Sequence, residues 1–173
     1  MKKEHRRYIV LIAVILLIII AGQLLKNDII NTYKDLGSVS LVEDVVNITY
    51  TENKGGAWGI GQNDIVTYIA ANVLVLGIII KFIITQKDRI GGVDLAALTL
   101  ILGGGISNFI DRIIRGYVVD YIDLTPLFNF PIFNLEDIII VIGWLIFVTV
   151  VAVSMIKLKN EKVEDRIEED SNK

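Results

Sequence analysis

Two aspartates in the second half of the chain are the side chains best suited to chemistry. Asp120 lies in the stretch VVDY at residues 118–121, and Asp137 ends the stretch FNLED at residues 133–137. Two carboxylates held together in a poorly solvated site cannot both ionise cheaply, so one keeps its proton while the other is charged. Such a pair is a general acid beside a general base, which can activate a water molecule for attack on an amide carbonyl.

The other reactive side chains are few. The chain has no cysteine, and its only histidine, His5, lies in a basic leader that we expect on the cytoplasmic side. A Ser–His–Asp triad, a Cys–His pair and a histidine-rich zinc site are therefore disfavoured. What remains for hydrolysis is carboxylate chemistry or a serine–lysine pair, and for carboxylate chemistry we expect neither a metal nor a cofactor.

Each acid also has a purely structural interpretation. An acid at a helix N-terminus is stabilised by unpaired amides and by the helix dipole, so Asp137 can simply cap a helix. Asp120 can be the ion-pair partner of Arg112 or Arg115. Asp111 is most readily a structural partner of its neighbour Arg112, because charges within a membrane usually pair with one another. The local residues permit a catalytic pair without requiring it.

Four apolar segments are long enough to cross a bilayer as helices. Hydrophobic residues make up 53% of the 173-residue chain, and about 20 apolar residues span the hydrocarbon region. The third segment is the weakest because it contains three consecutive glycines, which we interpret as packing positions against another helix. The first is not a cleaved signal peptide in our interpretation, since QLLKND after it lacks the small-residue cleavage pattern. The predicted spans are residues 8–25, 65–84, 95–112 and 137–156.

Basic residues predict the orientation of these spans. They precede the first span, lie between the second and third, and follow the fourth, so all three groups fall on one side, which should be the cytoplasm. We therefore expect both termini in the cytoplasm and the two acids towards the outer face. The first outer loop is rich in β-branched residues at 38–53, which predicts short strands.

The predicted fold class is an all-α membrane protein with four transmembrane helices, a small extracytoplasmic β-containing segment and a long outer loop. The helical domain covers residues 1–160, and residues 161–173 form a charged cytoplasmic tail.

Three motifs appear in a specific order along the chain. They are ENKGGAWG at residues 52–59, GGGISNFIDRIIRGYVVDYID at 103–123 and FPIFNLEDIIIVIG at 130–143. In these motifs and in the spacing of its spans, the chain resembles the bacterial lipoprotein signal peptidases, also called signal peptidase II, which are aspartic peptidases of the cytoplasmic membrane. The resemblance covers nearly the whole chain except the charged tail. It implies that Asp120 and Asp137 are the catalytic pair.

The resemblance also implies a set of supporting polar residues that orient the substrate backbone and the two acids. This role explains why a basic residue, Arg112, lies on the outer side, although the other basic groups place most of the positive charge on the cytoplasmic side. Lys26 matches a lysine often found in the family, with a less defined role. The supporting set is Asn53, Asn108, Arg112, Asn134 and Lys26.

Four positions depart from the family pattern. Family members commonly carry an aspartate where this chain has Gly22, so a supporting contact is missing or replaced. The last motif usually has a small residue where Glu136 stands, which adds an acid beside the pair and can raise a neighbouring pKa. Glycine is more usual than Ser107, and phenylalanine more usual than Trp58, which we interpret as an anchor at the membrane interface.

The function implied by the resemblance is removal of the signal peptide from a prolipoprotein whose cysteine carries a diacylglyceryl group, with the cut on the amino side of that cysteine. The expected partners are lipid-modified prolipoproteins and membrane lipids, with no nucleic acid, and the protein is expected to be monomeric. The expected location is the bacterial cytoplasmic membrane. Three alternatives remain: a proton-coupled carrier in which the acids relay protons, a catalytically silent relative that only binds lipidated signal peptides, and a serine–lysine signal peptidase.

Overall fold

The computed structural model describes residues 3–56, 61 and 64–171, which form long helices and a small sheet. Trp58, the predicted interfacial anchor, lies outside these residues. The helices are α1 (Lys3–Tyr33), α2 (Ile65–Thr85), α3 (Gly92–Ile114) and α4 (Leu135–Ser171). The strands are β1 (Ser38–Val42), β2 (Val46–Asn53) and β3 (Val118–Asp123).

The predicted fold class is confirmed. Within the described ranges, four helices are long and apolar enough to cross a membrane. Two of them extend well beyond the predicted spans, since α1 continues to Tyr33 and α4 continues to Ser171. The charged segment after residue 160 is therefore helical as far as Ser171.

The third helix is the central one. In the most apolar stretch of α3, 61% of the residues are buried, against 6–11% in the other candidate spans. Its polar residues Ser107, Asn108 and Asp111 are buried as well. Its weak hydropathy is explained by this position, because a helix that faces protein on most sides can carry polar and small residues that lipid would not tolerate.

The three consecutive glycines of α3 are contact points for three different helices. Gly103 faces Ile18 of α1, Gly105 faces α2, and Gly104 meets α4. A Cβ atom on Gly104 would lie 2.8 Å from the backbone carbonyl oxygen of Glu136, a distance that no real Cβ can adopt. The packing interpretation of these glycines is confirmed, since a larger side chain would push the helices apart.

The sheet has the order β1-β2-β3 with antiparallel neighbours. β1 and β2 lie within the predicted strand region, whereas β3 was not predicted, because strands were expected only in the first outer loop. β3 places its residues opposite β2, with Asp120 paired to Thr51 and Val118 paired to Asn53.

A backbone bridge joins the sheet to the start of α4. The amide of Phe133 donates to the carbonyl of Ile122 at 3.1 Å, and the amide of Ile122 donates to the carbonyl of Phe133 at 2.7 Å. The segment that leads into α4 is therefore held along β3. This bridge brings Asp120 and Asp137, which belong to different elements, to the same end of the helices.

The opposite end of the helices carries the beginning of α1. There Arg7 donates from Nη2 to the carbonyl oxygens of Ile90 at 2.9 Å and Gly91 at 3.1 Å, in the turn between α2 and α3. The N-terminal leader and this turn thus lie together, one helix length away from the sheet.

Candidate active site

A cavity of about 560 Å³ lies between β3, the start of α4 and the segment that joins them. Asp120 and Asp137 both line it, and so do Asn53 and Arg112. The rest of the wall is mostly apolar and comes from the joining segment and from the first turns of α4. These lining residues are Leu124, Phe128, Phe130, Pro131, Ile132, Phe133, Ile138, Val141 and Ile142.

Asp120 is buried in β3 and is held by two side-chain amides. Asn53 Nδ2 donates to its Oδ2 at 2.9 Å, and Asn134 Nδ2 donates to its Oδ1 at 2.6 Å. Burial, together with the nearby charge of Asp137, raises the pKa of Asp120 to about 7, while both amide donors act in the opposite direction. Asp120 can therefore hold or release a proton near neutral pH.

Asp137 lies in the first turn of α4 and forms a reciprocal cap with Asn134. The backbone amide of Asn134 donates to Asp137 Oδ2 at 3.1 Å, and the backbone amide of Asp137 donates to Asn134 Oδ1 at 3.0 Å. This is the geometry of a capping box, in which residues three apart satisfy each other's free amides. The capping interpretation of Asp137 is thus correct, and it leaves the carboxylate at the cavity, where Asn108 Nδ2 donates to Oδ1 at 2.9 Å.

Asn134 connects the two acids. It is fully buried, and it contacts Asp120 through its side chain and Asp137 through its backbone amide. The same Nδ2 lies 3.2 Å from Asn108 Oδ1. One asparagine at the start of α4 therefore fixes the position of a carboxylate on β3 relative to a carboxylate in the helix that it caps.

Lys26 is fully buried in α1 and forms the centre of an ionic cluster. Its Nζ lies 2.9 Å from Asp111 Oδ2, 3.1 Å from Glu136 Oε1 and 2.7 Å from Asn108 Oδ1. Because the carbonyl oxygen of Asn108 accepts from this ammonium, its amide nitrogen is turned towards Asp137. Lys26 thus supports the site from behind, without lining the cavity.

Two predicted ion pairs are wrong. Asp111 does not pair with its neighbour Arg112; its carboxylate contacts Lys26 and Arg115, the latter one helical turn along α3. A helix turns its side chains by about 100° per residue, so adjacent residues point in different directions, whereas residues four apart share a face. Asp120 forms no ion pair with either arginine among the described residues, since its oxygens are occupied by asparagine amides.

Arg112 lies at the edge of the cavity. Its guanidinium donates to the backbone carbonyls of Asn108 and Gly55, each at 3.3 Å, and lies 5.7 Å from the centre of the Tyr68 ring. Its positive charge is therefore held at the cavity mouth by neutral partners. Such a group can attract a backbone carbonyl or a negative charge that develops in the cavity.

The structure brings all seven predicted site residues to one end of the helices. Several residues of this region were not predicted as site residues, among them Gln23 and Ser107. Gln23 donates to Asp111 Oδ1 at 3.0 Å and accepts from Arg115 Nη1 at 2.7 Å, and Ser107 donates to Glu136 Oε1 at 2.8 Å. The available signal was the presence of charged and polar residues inside or next to apolar spans, because such residues need partners there.

The arrangement suits proton transfer to and from a reacting group. Two carboxylates share one apolar cavity, and each is held by uncharged amide donors that stabilise an ionised oxygen. With one proton between them, the pair has an acid and a base available at the same time.

Comparisons with known proteins agree with the resemblance seen in the motifs. A family model described as "Signal peptidase (SPase) II" matches residues 14–153. The lipoprotein signal peptidase of Brevibacillus brevis is 42% identical over 128 residues, which cover 73% of this chain and 84% of that protein. The lipoprotein signal peptidase of Staphylococcus aureus is 30% identical over 167 residues, covering 94% of this chain and 99% of that protein.

A solved structure has the same fold. It is described as a bacterial membrane enzyme determined by the in meso method at 2.3 Å resolution, and it matches with a TM-score of 0.74 at 28% identity. The match covers 84% of this chain and 89% of that chain. The family match spans all the predicted site residues, and the chain therefore belongs to the signal peptidase II family of lipoprotein signal peptidases.

Proposed function

We propose that the protein is an aspartic endopeptidase that removes the signal peptide from diacylglyceryl-modified prolipoproteins, cutting on the amino side of the lipidated cysteine. The observation that carries this proposal is the pairing of Asp120 and Asp137 through Asn134 in one cavity. Family membership supplies the substrate class, since the relatives are lipoprotein signal peptidases.

The reaction follows from a pair of acids that shares one proton. The ionised carboxylate takes a proton from water as the water oxygen attacks the scissile carbonyl carbon, and the protonated carboxyl donates a hydrogen bond to the carbonyl oxygen. When the tetrahedral intermediate collapses, the carbon–nitrogen bond breaks and the leaving nitrogen takes a proton from the pair. The products are a new carboxylate on the signal peptide and a free amine on the lipidated cysteine.

The supporting residues fit these steps. Asn108 and Asn134 hold the two carboxylates, and Arg112 at the cavity edge can bind a backbone carbonyl of the substrate. The active site is pre-organised in this way, because its polar groups are already oriented before substrate arrives.

The apolar wall supports a lipidated substrate. From the acids it continues along α4 through Ile138, Val141 and Ile142, and Val141 is 56% exposed on the outside of the helices. An opening of this kind admits a membrane-embedded ligand sideways, because acyl chains can pass from the lipid to an apolar wall without being exposed to water. A proton-coupled carrier is less consistent with acids that lie at the start of a helix and on a strand at one end of the helices.

We place the active site towards the outer face of the cytoplasmic membrane, with both termini in the cytoplasm. The basis is the charge bias of the sequence, together with the position of the N-terminal Arg7 at the end of the helices opposite the sheet. The proposed reaction needs no residue from a second copy of the chain, and we propose that the enzyme is monomeric.

The test compares cleavage of lipidated and unlipidated prolipoprotein by purified protein in detergent. Asp120→Asn and Asp137→Asn should each abolish cleavage while the protein still folds. Asp123→Asn is the matched control: it lies on the same strand as Asp120, but it bonds to Thr49 and Thr125 and does not line the cavity. Full activity of either active-site variant would refute the mechanism, and equal cleavage of the unlipidated precursor would refute the substrate class.

A further inference from the structure

Gly22 of α1 and Glu136 of α4 compete for one small space. A Cβ atom on Gly22 would lie 2.2 Å from Glu136 Oε1 and 3.1 Å from Ser107 Oγ. Both residues are buried. Gly22 is inside a regular helix and is not one of the described glycines with positive φ. Its lack of a side chain is therefore explained by the carboxylate opposite it rather than by backbone conformation.

The carboxylate of Glu136 is fixed where it lies. Its Oε1 accepts from Ser107 Oγ at 2.8 Å and pairs with Lys26 Nζ at 3.1 Å. Its Oε2 is buried and has no hydrogen-bond partner among the described residues. A buried carboxylate with one unsatisfied oxygen is costly, and in this chain the ion pair with Lys26 is the contact that offsets the cost.

The charges of this cluster balance only when Glu136 is counted. Lys26 and Arg115 provide two positive charges, while Asp111 and Glu136 provide two negative charges. Without Glu136, the single carboxylate of Asp111 would have to serve both cations. A buried excess of positive charge would then lie behind the catalytic pair, and an uncompensated buried charge is strongly unfavourable.

The effect of Glu136 reaches the reaction through Lys26. The ammonium of Lys26 lies 2.7 Å from Asn108 Oδ1, and this contact directs Asn108 Nδ2 to Asp137 Oδ1 at 2.9 Å. If Lys26 shifts towards Asp111, the Asn108 amide loses the contact that sets its orientation. The carboxylate of Asp137 then loses a donor.

We infer that Glu136 is a positioning residue for the Asp120–Asp137 pair, and that Gly22 and Glu136 form an exchangeable unit in which α4 supplies the carboxylate for Lys26. Position 22 precedes Lys26 by four residues, so an acid at position 22 would face Lys26 from the same helix. The two departures from the family pattern, Gly22 and Glu136, are then one change: the carboxylate has moved from α1 to α4. The expected effect on kcat rests on the proposed function. The exchange of the carboxylate between the two helices does not.

A double-mutant cycle tests the exchange. Gly22→Asp alone forces two carboxylates into one space, and Glu136→Ala alone removes the partner of Lys26, so each should lower kcat by about tenfold or more. The combination Gly22→Asp with Glu136→Ala should return kcat to within about threefold of the wild type, because one carboxylate again faces Lys26. KM should change little, since neither residue lines the cavity.

Thermal unfolding in the same detergent provides a second readout that does not depend on peptidase activity. Both single variants should lower Tm, and the double variant should recover most of the loss. Gly77→Ala is the control for a glycine substitution in a helix, because nothing lies within 4 Å of its Cβ position. If a single variant does not fold, recovery in the double variant still supports the exchange, and a double variant worse than either single one overturns it.

The positioning role has its own test in Glu136→Gln, which keeps the shape but removes the charge. The titratable groups near Glu136 are Lys26, Asp111 on the other side of Lys26, Tyr121 and Asp137. With Glu136 neutral, the charge of Lys26 is less compensated, so the alkaline limb of the pH–rate profile should move to lower pH. An unchanged profile with a lowered Tm would show a structural role only and would overturn the positioning role.

The two proposals fail in different ways. If the wild-type protein cleaves no lipidated prolipoprotein while Tm still shows recovery in the double variant, the proposed function fails and the exchange stands. If the wild-type protein cleaves but neither kcat nor Tm recovers in the double variant, the exchange fails and the function stands.

Discussion

Asn134 performs two tasks that a single substitution can separate. Its Oδ1 accepts from the Asp137 amide at 3.0 Å and caps α4, while its Nδ2 donates to Asp120 at 2.6 Å. Serine is as good an N-cap as asparagine, but its short hydroxyl cannot replace the amide donor that reaches Asp120. Asn134→Ser should therefore keep the helix start and lose the contact to the acid, whereas Asn134→Ala should lose both.

The expected magnitudes differ for the two tasks. A hydrogen bond to a charged partner contributes about 1.5–3 kcal/mol, so loss of the donor to Asp120 should lower kcat roughly 10–150-fold in both variants. Loss of the cap costs about 1 kcal/mol of stability. This cost applies to Asn134→Ala and hardly at all to Asn134→Ser.

The assay measures kcat on a lipidated prolipoprotein and Tm in the same detergent. The result expected for Asn134→Ser is a Tm close to that of the wild type with a clearly reduced kcat. Wild-type kcat in Asn134→Ser would refute the view that this amide holds Asp120 for the reaction. An equal loss of Tm in the two variants would refute the assignment of the cap.

Two further predictions concern pH and packing. Because the pKa of Asp120 is raised from 3.8 to about 7, the folded protein keeps a proton there that the unfolded chain loses between these values, so stability should fall as pH rises through that window. Cleavage should decline on the alkaline side near pH 7. In Asp120→Asn, Tm should depend less on pH over the same window than it does in the wild type. If Tm falls as steeply with pH in this variant as in the wild type, the raised pKa does not belong to Asp120. Gly104→Ala should cost about 1–3 kcal/mol by overpacking, because its Cβ would meet a backbone carbonyl at 2.8 Å. Gly77→Ala should leave Tm unchanged or slightly higher, and similar Tm losses in both would contradict the packing argument.

The sequence was sufficient for the features that depend on local composition. Continuous apolar segments show the membrane helices, because the length needed to cross a bilayer is fixed by its thickness. β-Branched residues at 38–53 indicate the first two strands, and the ordered motifs indicate the family and its acids. These properties can be recognised without knowing which residues touch.

The third strand and the ion pairs required the tertiary structure. β3 is short and hydrophobic, with both faces mostly buried, so it lacks the alternation that marks a half-exposed strand. Arg112 follows Asp111 directly in the sequence, yet the partners of Asp111 are Lys26 and Arg115. Neighbours in sequence point away from each other on a helix, and the partner on α1 lies far away along the chain.

By itself, the sequence determined that the chain crosses a membrane, that it carries two carboxylates at the ends of apolar segments, and that its motifs follow those of a peptidase family. Only the tertiary structure decided that Asn134 holds Asp120 and caps α4 at once, and that Glu136 fills the space above Gly22. The physical reason is that hydropathy is a property of each segment alone. The volume shared by two side chains is set by how the helices pack against each other.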